Sequence, residues 1–429
     1  MRRRGFLQVG LLAASGLQSQ APLPGKQIGG PRKRLAAIAT AYPIGSNADD
    51  LITRFLQGYW INDDFHPPAC DIASLYTLQV PANDVGRRLA AAYRIPVASS
   101  ISDALTLRTG SLEVDGILLV GDEYEPSTSD ATLRRDRRFN FFEQAVKVFK
   151  QSGRSVPVFC HGYLSTDWDE AWQVYQWSRD IGFPLMAGSS PPVTFRRPDL
   201  DYHLPDNYDD ARLGDRNPPR YPQGVEFDGA LVIAPGSESS GAMFGSLEIL
   251  QSFLERRKGG ETGIRTVERF AGADVWRTTR EGRWSRELML AALRRAEKSG
   301  SGRPEDAEHP AAWLITYNDG NQGCVLSLGG LVSEYLAAFR IKGRHEIDST
   351  LCYTPVASRN DFSLLVHGIS GLMQSGMCPY PIERTLLTNG AFACLRTLTQ
   401  RGGQRIETPM LKITYTAPER SFYAHGRGW

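Results

Sequence analysis

The sequence predicts an α/β chain with two parts. The first is a Rossmann-like, doubly wound parallel sheet; the second is an α+β domain with a large, open, mostly antiparallel sheet. Three observations carry this. Short apolar runs alternate with helical patterns from residue 34 to about 190, as a parallel sheet flanked by helices requires. That alternation stops near residue 200, in a stretch rich in Pro, Asp and Asn. Beyond it, strand patterns cluster with one another and helices are grouped near the end.

The elements can be taken in order. "RLAAIATAYP" is a short apolar run suited to a strand buried on both faces, and "SNADDLITRFLQGYW" is the helix after it. "ACDIASLYTL" is the second strand and "NDVGRRLAAAYRI" its helix; "ISDALTL" adds a short helix. "VDGILLVG", "SVPVFCHG" and "PLMAGSS" are three further strands, separated by the helices "FNFFEQAVKVFKQSG" and "TDWDEAWQVYQWSRDIG". In the second half "VEFDGALVIAPG" is a strand and "AMFGSLEILQSFLERRKGG" a helix stopped by a glycine pair. "AAWLITYNDGNQGCVLSLGG" is a hairpin with turn residues at its centre. "YLAAFRIKG" and "EIDSTLCY" are strands, helices are expected at about 361–375 and 382–399, and "MLKITY" reads as a last strand.

Composition narrows the function classes. With 429 residues, 41% hydrophobic and 22% charged residues and a net charge of +2, the chain is a globular protein of two domains. Nothing in that balance points to nucleic acid. The N-terminus "MRRRGFLQVGLLAASGLQSQA" places Arg3, Arg4, Phe6 and Leu7 before an apolar stretch too short to span a bilayer. Residues 1–21 are therefore expected to be a twin-arginine export signal, giving a periplasmic or extracellular protein with no membrane span after processing. Residues 22–33 read as a linker, 34–200 as the Rossmann-like domain and 201–429 as the α+β domain. The six cysteines are scattered without a C-x-x-C, which indicates buried thiols rather than disulfides or zinc. Asp199, Asp201, His203 and Asp206 lie in a Pro-rich connection without metal-ligand spacing, so no metal site is expected.

The order of elements, with "VPVFCHGYLSTDWDEAWQVYQWSRDIGFPLMAGSS" in the first half and "PYPIERTLLTNGAFACLRTL" near the end, resembles one oxidoreductase family. That family includes glucose–fructose oxidoreductase, inositol dehydrogenase and MocA. The likeness runs from about residue 34 to 415. It implies NAD or NADP as cofactor, a sugar or cyclitol as substrate, and a second-domain sheet that binds substrate and can build a homo-oligomer.

The motifs of that family are degenerate in this chain. A dinucleotide loop needs G-x-G-x-x-G after the first strand, so that the pyrophosphate can approach the backbone. The matching stretch here is Thr40-Ala41-Tyr42-Pro43-Ile44-Gly45, which keeps only the third glycine. Tyr42 is expected to project where the pyrophosphate would lie, and Pro43 lacks an N–H. Ser46 or Asn47 can cap the following helix or hold an anion. The second strand ends in Leu75-Tyr76-Thr77-Leu78 without the acid that binds ribose.

By the same resemblance the family's Glu-Lys-Pro loop falls on Cys160-His161-Gly162, which leaves His161 as a candidate acid or base. The family's Asp, His and acid of the second-domain helix fall on Gly241, Gly245 and Glu248. Glu248 is thus a candidate for the cleft or for an exposed helix face. Asp122 and Glu123 follow the strand "GILLVG" and are expected to face the cleft; Arg134–Arg138 could cover it and favour an anionic sugar. Two functions stay open. One is an exported oxidoreductase acting on a sugar or cyclitol through a tightly held dinucleotide. The other is a non-catalytic descendant that binds a carbohydrate or a protein partner.

Overall fold

The computed structural model describes residues 32–121, 137–200, 223–236, 238–297, 302–419 and 421–425. The expected export signal, Asp122, Glu123, Asp201, His203 and Asp206 lie outside the described residues.

The first half is built on β1 (Lys33–Ala39), β4 (Cys70–Thr77), β5 (Gly116–Val120), β6 (Val158–His161) and β7 (Leu185–Gly188). These form one five-stranded parallel sheet in the order β4-β1-β5-β6-β7. The five strands are those expected from the sequence. Their apolar runs are explained by layers on both faces. On one face lie α3 (Ile101–Thr106), α4 (Arg137–Ser152) and α5 (Trp168–Ile181), packed on Ile38, Leu119 and Val158. The other face holds Leu35, Leu118 and Met186 against α1 (Asn47–Gln57) and α2 (Gly86–Ala92). It is also covered by α9 (Asp361–Ser375), which comes from the far end of the chain.

The second half is an eight-stranded sheet made of β8 (Arg196–Arg197), β9 (Phe227–Ala234), β10 (Ile264–Ala271), β11 (Ala311–Tyr317), β12 (Gln322–Ser327), β13 (Tyr335–Ile341), β14 (Ile347–Cys352) and β15 (Arg405–Glu407). Its order is β15-β10-β11-β12-β9-β13-β14-β8, antiparallel except where β12 meets β9. Alternate residues face opposite sides, as strand geometry dictates. Val232, Val325 and Phe339 face α6 (Ser240–Leu254) and α10 (Ile382–Arg401). Leu231, Leu326 and Leu336 face α7 (Ala273–Arg280) and α8 (Arg286–Leu293). α6 is apolar almost all round because it is wedged between the sheet and α10; residues 242–254 are all buried.

Three local expectations are corrected. The helix after β1 stops at Gln57, where Gly58 takes φ +81, and residues 59–66 turn back as the hairpin β2 (Tyr59–Ile61) and β3 (Asp64–His66). "MLKITY" is not a strand. Its alternation is met by packing, with Leu411 buried and the Tyr415 hydroxyl donating to Glu255 at 2.8 Å, while the ladder partner of β10 is β15. Residues 261–297, unassigned in the sequence reading, supply β10, α7 and α8. None of the six cysteines forms a disulfide with another described residue, and five are buried. Among the described residues no helix is long and apolar enough to cross a membrane, and no group of His, Cys, Asp or Glu is placed to hold a metal.

Candidate functional site

In a doubly wound sheet ligands bind beyond the carboxyl ends of the strands. Two regions occupy that edge here, and they differ.

The first is the loop joining β1 to α1. Thr40 is tied into the sheet, its N–H donating to Val120 O at 3.1 Å and its carbonyl accepting from Gln79 N at 2.8 Å. Tyr42 is 1% exposed and turns inward. Its ring lies against Gly86, where an added Cβ would come within 2.6 Å of it, and its hydroxyl shares a 2.9 Å hydrogen bond with Thr53 Oγ1. Tyr42 therefore does not project over the sheet edge, which corrects the sequence expectation; the slot that receives its ring exists because residue 86 has no side chain. Burial raises the pKa of its hydroxyl, and the nearby carboxylates of Asp49 and Asp84 add to the rise. Gly45, at φ +74, donates its N–H to Asp49 Oδ2 at 2.9 Å, and Thr53 Oγ1 donates to Asp49 Oδ1 at 2.7 Å. Ser46 caps α1 by accepting from Asp49 N. Ile44 N donates to Asn83 O at 3.2 Å, which straps the loop to the segment before α2.

The second region is a cavity of 430 Å³ beyond β6 and β7. The strand β6 ends in His161, which lines the cavity and is 8% exposed. Its Nδ1 is buried and has no hydrogen-bond partner among the described residues. Burial, with the positive charges of Arg138 and Arg359, lowers its pKa to about 3, so the ring is neutral at physiological pH. Arg138, from the start of α4, lies 4.1 Å over the Tyr163 ring, which in turn stacks on Phe392 at 4.7 Å. Gly121 makes room for it: a Cβ there would fall 2.4 Å from Arg138 Cγ.

The opposite wall comes from the turn before α9. Arg54 of α1 donates to the carbonyls of Ser358 and Arg359, at 3.2 and 2.6 Å, and so holds that turn against the first half. Arg359 takes φ +50, sits 4.9 Å over the Phe362 ring, and places Nε 2.9 Å from Asp50 Oδ2. That pair is a charge contact without aligned hydrogen-bond geometry. Burial raises the Asp50 carboxyl to about 6, against the pull of Arg359 and Arg54. Asp361 is 2% exposed; its Oδ2 accepts from Ser190 Oγ at 2.7 Å, and its Oδ1 is buried without a partner among the described residues. Burial raises the pKa of Asp361 as well.

Glu248 lies behind this wall. It is neither exposed on a helix face nor among the residues lining the cavity. Its Oε2 accepts the N–H of Ser189 at 2.9 Å and the Ser189 hydroxyl through a short bond. Burial pushes its carboxyl up to about 7, against the two bonds from Ser189 and the charge of Arg384. Gly188 permits the approach, since a Cβ there would meet Tyr380 Oη at 2.7 Å and Glu248 Oε1 at 2.8 Å. Glu248 thus positions Ser189, which does line the cavity.

Of the residues singled out from the sequence, Asn47, Arg138, His161, Gly162 and Gly241 line the cavity; Thr40, Tyr42, Gly45 and Ser46 hold the loop together instead. Arg359, Asp361, Ser189 and Ser190 were missed. A faint signal existed for Asp361, an acid in the first turn of an apolar helix, but none for the cavity it faces.

No protein-family profile matches the sequence, and no curated protein matches it. Solved structures do match. GenD2 from gentamicin A biosynthesis, in complex with NAD, aligns with a TM-score of 0.51 at 11% identity, over 91% of this chain and 99% of its own. The myo-inositol 2-dehydrogenase of Lactobacillus plantarum aligns at 0.51 and 10%, over 88% and 99%. The apo scyllo-inositol dehydrogenase of Lactobacillus casei aligns at 0.50 and 10%, over 88% and 98%. The fold is that of the Gfo/Idh/MocA oxidoreductases. At these identities the likeness is one of fold, and the chemistry has to be judged from this chain's residues.

Within that fold a dinucleotide would lay its pyrophosphate on the β1–α1 loop. The residues present do not fit it. The Gly45 N–H is taken by Asp49, Pro43 has no N–H to give, and the carboxylates of Asp49 and Asp84 flank the loop where a dianion would have to sit. The end of β4 offers polar atoms but no ribose-binding acid: Thr77 Oγ1 and Gln79 Oε1 are buried without partners among the described residues.

Proposed function

We propose that this is an exported carbohydrate-binding protein built on a dehydrogenase fold, taking a sugar or cyclitol in the cavity beyond β6 and β7 without a resident dinucleotide. The observation that carries the reading is the self-closed β1–α1 loop, whose anion position is filled by the chain's own Asp49. The cavity supports the ligand class. It combines aromatic faces from Tyr163, Phe244 and Phe362 with hydroxyls, a carboxyl and a neutral imidazole, the mixture that binds a polyhydroxylated ring.

A second reading, hydride transfer from NAD or NADP, is favoured by one feature, the unpartnered Thr77 Oγ1 and Gln79 Oε1 where ribose hydroxyls would lie. One experiment separates the two. The protein is produced with its export signal, recovered folded and denatured, and the released small molecules are weighed; the folded protein is then titrated calorimetrically with NAD, NADP and a panel of sugars and cyclitols. Binding of a panel member with no dinucleotide released or bound is the expected result. Stoichiometric dinucleotide would restore the oxidoreductase and overturn the proposal.

A further inference from the structure

We infer that the cavity's ligand carries a carboxylate, so that it is a sugar acid rather than a neutral sugar, and that Arg359 is the residue that reads it. This rests on the carbohydrate-binding reading and names its ligand class.

The inference starts from how Arg359 is held. Its backbone is fixed at φ +50 by Arg54, which donates to its carbonyl at 2.6 Å, and by its own N–H to Pro355 O at 3.0 Å. Phe362 carries the guanidinium plane and Asp50 lies 2.9 Å from Nε. Nε meets Asp50 as a charge contact only, so no guanidinium N–H makes a hydrogen bond to a described residue, and the side chain is 35% exposed and lines the cavity. A planar fork seated on Phe362 and beside Asp50, with its outer N–H groups unspent, is the geometry that takes a carboxylate in two parallel bonds. Seating the side chain beforehand lowers the rotamer entropy such a contact otherwise costs.

The charge around it points the same way. Among the described residues Arg138 and Arg359 line the cavity with one carboxyl, Asp361, and His161 is neutral. A neutral sugar would leave the Arg359 fork to water, whereas a carboxylate would answer it with a charge-assisted pair. The rest of a sugar acid is also provided for. The Ser189 and Ser190 hydroxyls, which donate to Glu248 and Asp361, keep lone pairs that can accept from ring hydroxyls.

The test uses the whole folded protein and calorimetric titration with galacturonate, glucuronate, galactose, glucose and the methyl ester of galacturonate. The acids are expected to bind roughly tenfold or more tightly than the neutral sugars and the ester, the scale of a charge-assisted bidentate pair. Arg359→Gln is expected to erase that preference. The ester comparison needs no variant, so it decides the matter even if Arg359→Gln leaves Asp50 unpaired and fails to fold. Equal binding of acid, ester and neutral sugar would overturn the inference and leave the carbohydrate reading standing. Absence of binding by every one of these sugars and by the cyclitols titrated beside them would overturn both.

Discussion

The two ends of the parallel sheet's carboxyl edge have opposite chemistry. Around the β1–α1 loop the charges are carboxylates, Asp49 and Asp84, and the loop's N–H groups are answered from within: Gly45 by Asp49, Ile44 by Asn83, and the first turn of α1 by Ser46. Beyond β6 and β7 the described lining charges are Arg138, Arg359 and Asp361, and polar atoms on His161 and Asp361 have no partner among the described residues. A chain gains nothing in stability from burying unpaired polar atoms; each costs about 1–3 kcal/mol. Such atoms occur at both ends, His161 Nδ1 and Asp361 Oδ1 beside the cavity and Thr77 Oγ1, Gln79 Oε1 and Asp84 Oδ1 near the β1–α1 loop, so what separates the ends is the loop's own capping by Asp49 and the open space beyond β6 and β7.

The largest expected effect is on the wall of the open end. Gly188 has φ +147, and a Cβ there would meet Tyr380 Oη and Glu248 Oε1 inside 3 Å. Backbone strain and overpacking together should make Gly188→Ala cost about 4 kcal/mol, read as a fall in the urea midpoint. A variant within about 1 kcal/mol of the parent would mean the wall yields, and that Glu248 does not hold Ser189 in place as described.

Next in size is the titration of that same glutamate. Its carboxyl is raised from 4.5 to about 7 by burial. Between those values the folded protein keeps a proton that the unfolded chain has lost. The stabilisation is therefore complete below pH 4.5 and is lost as pH rises through 7. At about 1.4 kcal/mol per unit the whole window is worth about 3 kcal/mol. Glu248→Gln keeps a carbonyl for the Ser189 donors and has nothing to titrate. Its stability relative to the parent should rise between pH 5 and pH 8, measured by denaturant unfolding at each pH. A difference that stays flat with pH would show that Glu248 is ionised throughout and shielded by Arg384.

How far the sequence went follows the same divide. The five parallel strands were legible because burial on both faces leaves continuous apolar runs such as Leu35–Ala39. The Ser46 cap was legible because capping is local. The direction of Tyr42 was not, since it depends on Gly86, far along the chain and without a side chain to advertise itself. Glu248 was open to two readings because a lone acid in "GAMFGSLEI" has no nearby partner; Ser189 arrives from another strand. The cavity was hidden for the same reason: His161, Ser190 and Arg359 share no motif, and only α9 crossing back under the first sheet brings them together. Where chemistry is assembled across the chain, spacing carries little signal.

The smallest effect addresses the closed end directly. Asp49 accepts from Gly45 N and from Thr53 Oγ1, and it stands in the first turn of α1, where a negative charge meets the helix dipole. Asp49→Asn keeps one carbonyl acceptor and drops the charge; Asp49→Ala drops both. Thr53 and Tyr42 still share their own hydrogen bond in either variant. The expected order of stability is parent, then Asn, then Ala, with about 1 kcal/mol lost in the last, seen in the same unfolding assay. Calorimetry with NAD separates the two explanations of closure. If Asp49 alone closed the anion position, dropping its charge in Asp49→Asn, or its acceptor as well in Asp49→Ala, would admit the dinucleotide. Pro43 would still offer no donor, however, and Asp84 would still face the phosphate. Neither variant is therefore expected to bind NAD. Binding by Asp49→Asn would show that one carboxylate is all that stands between this fold and its cofactor.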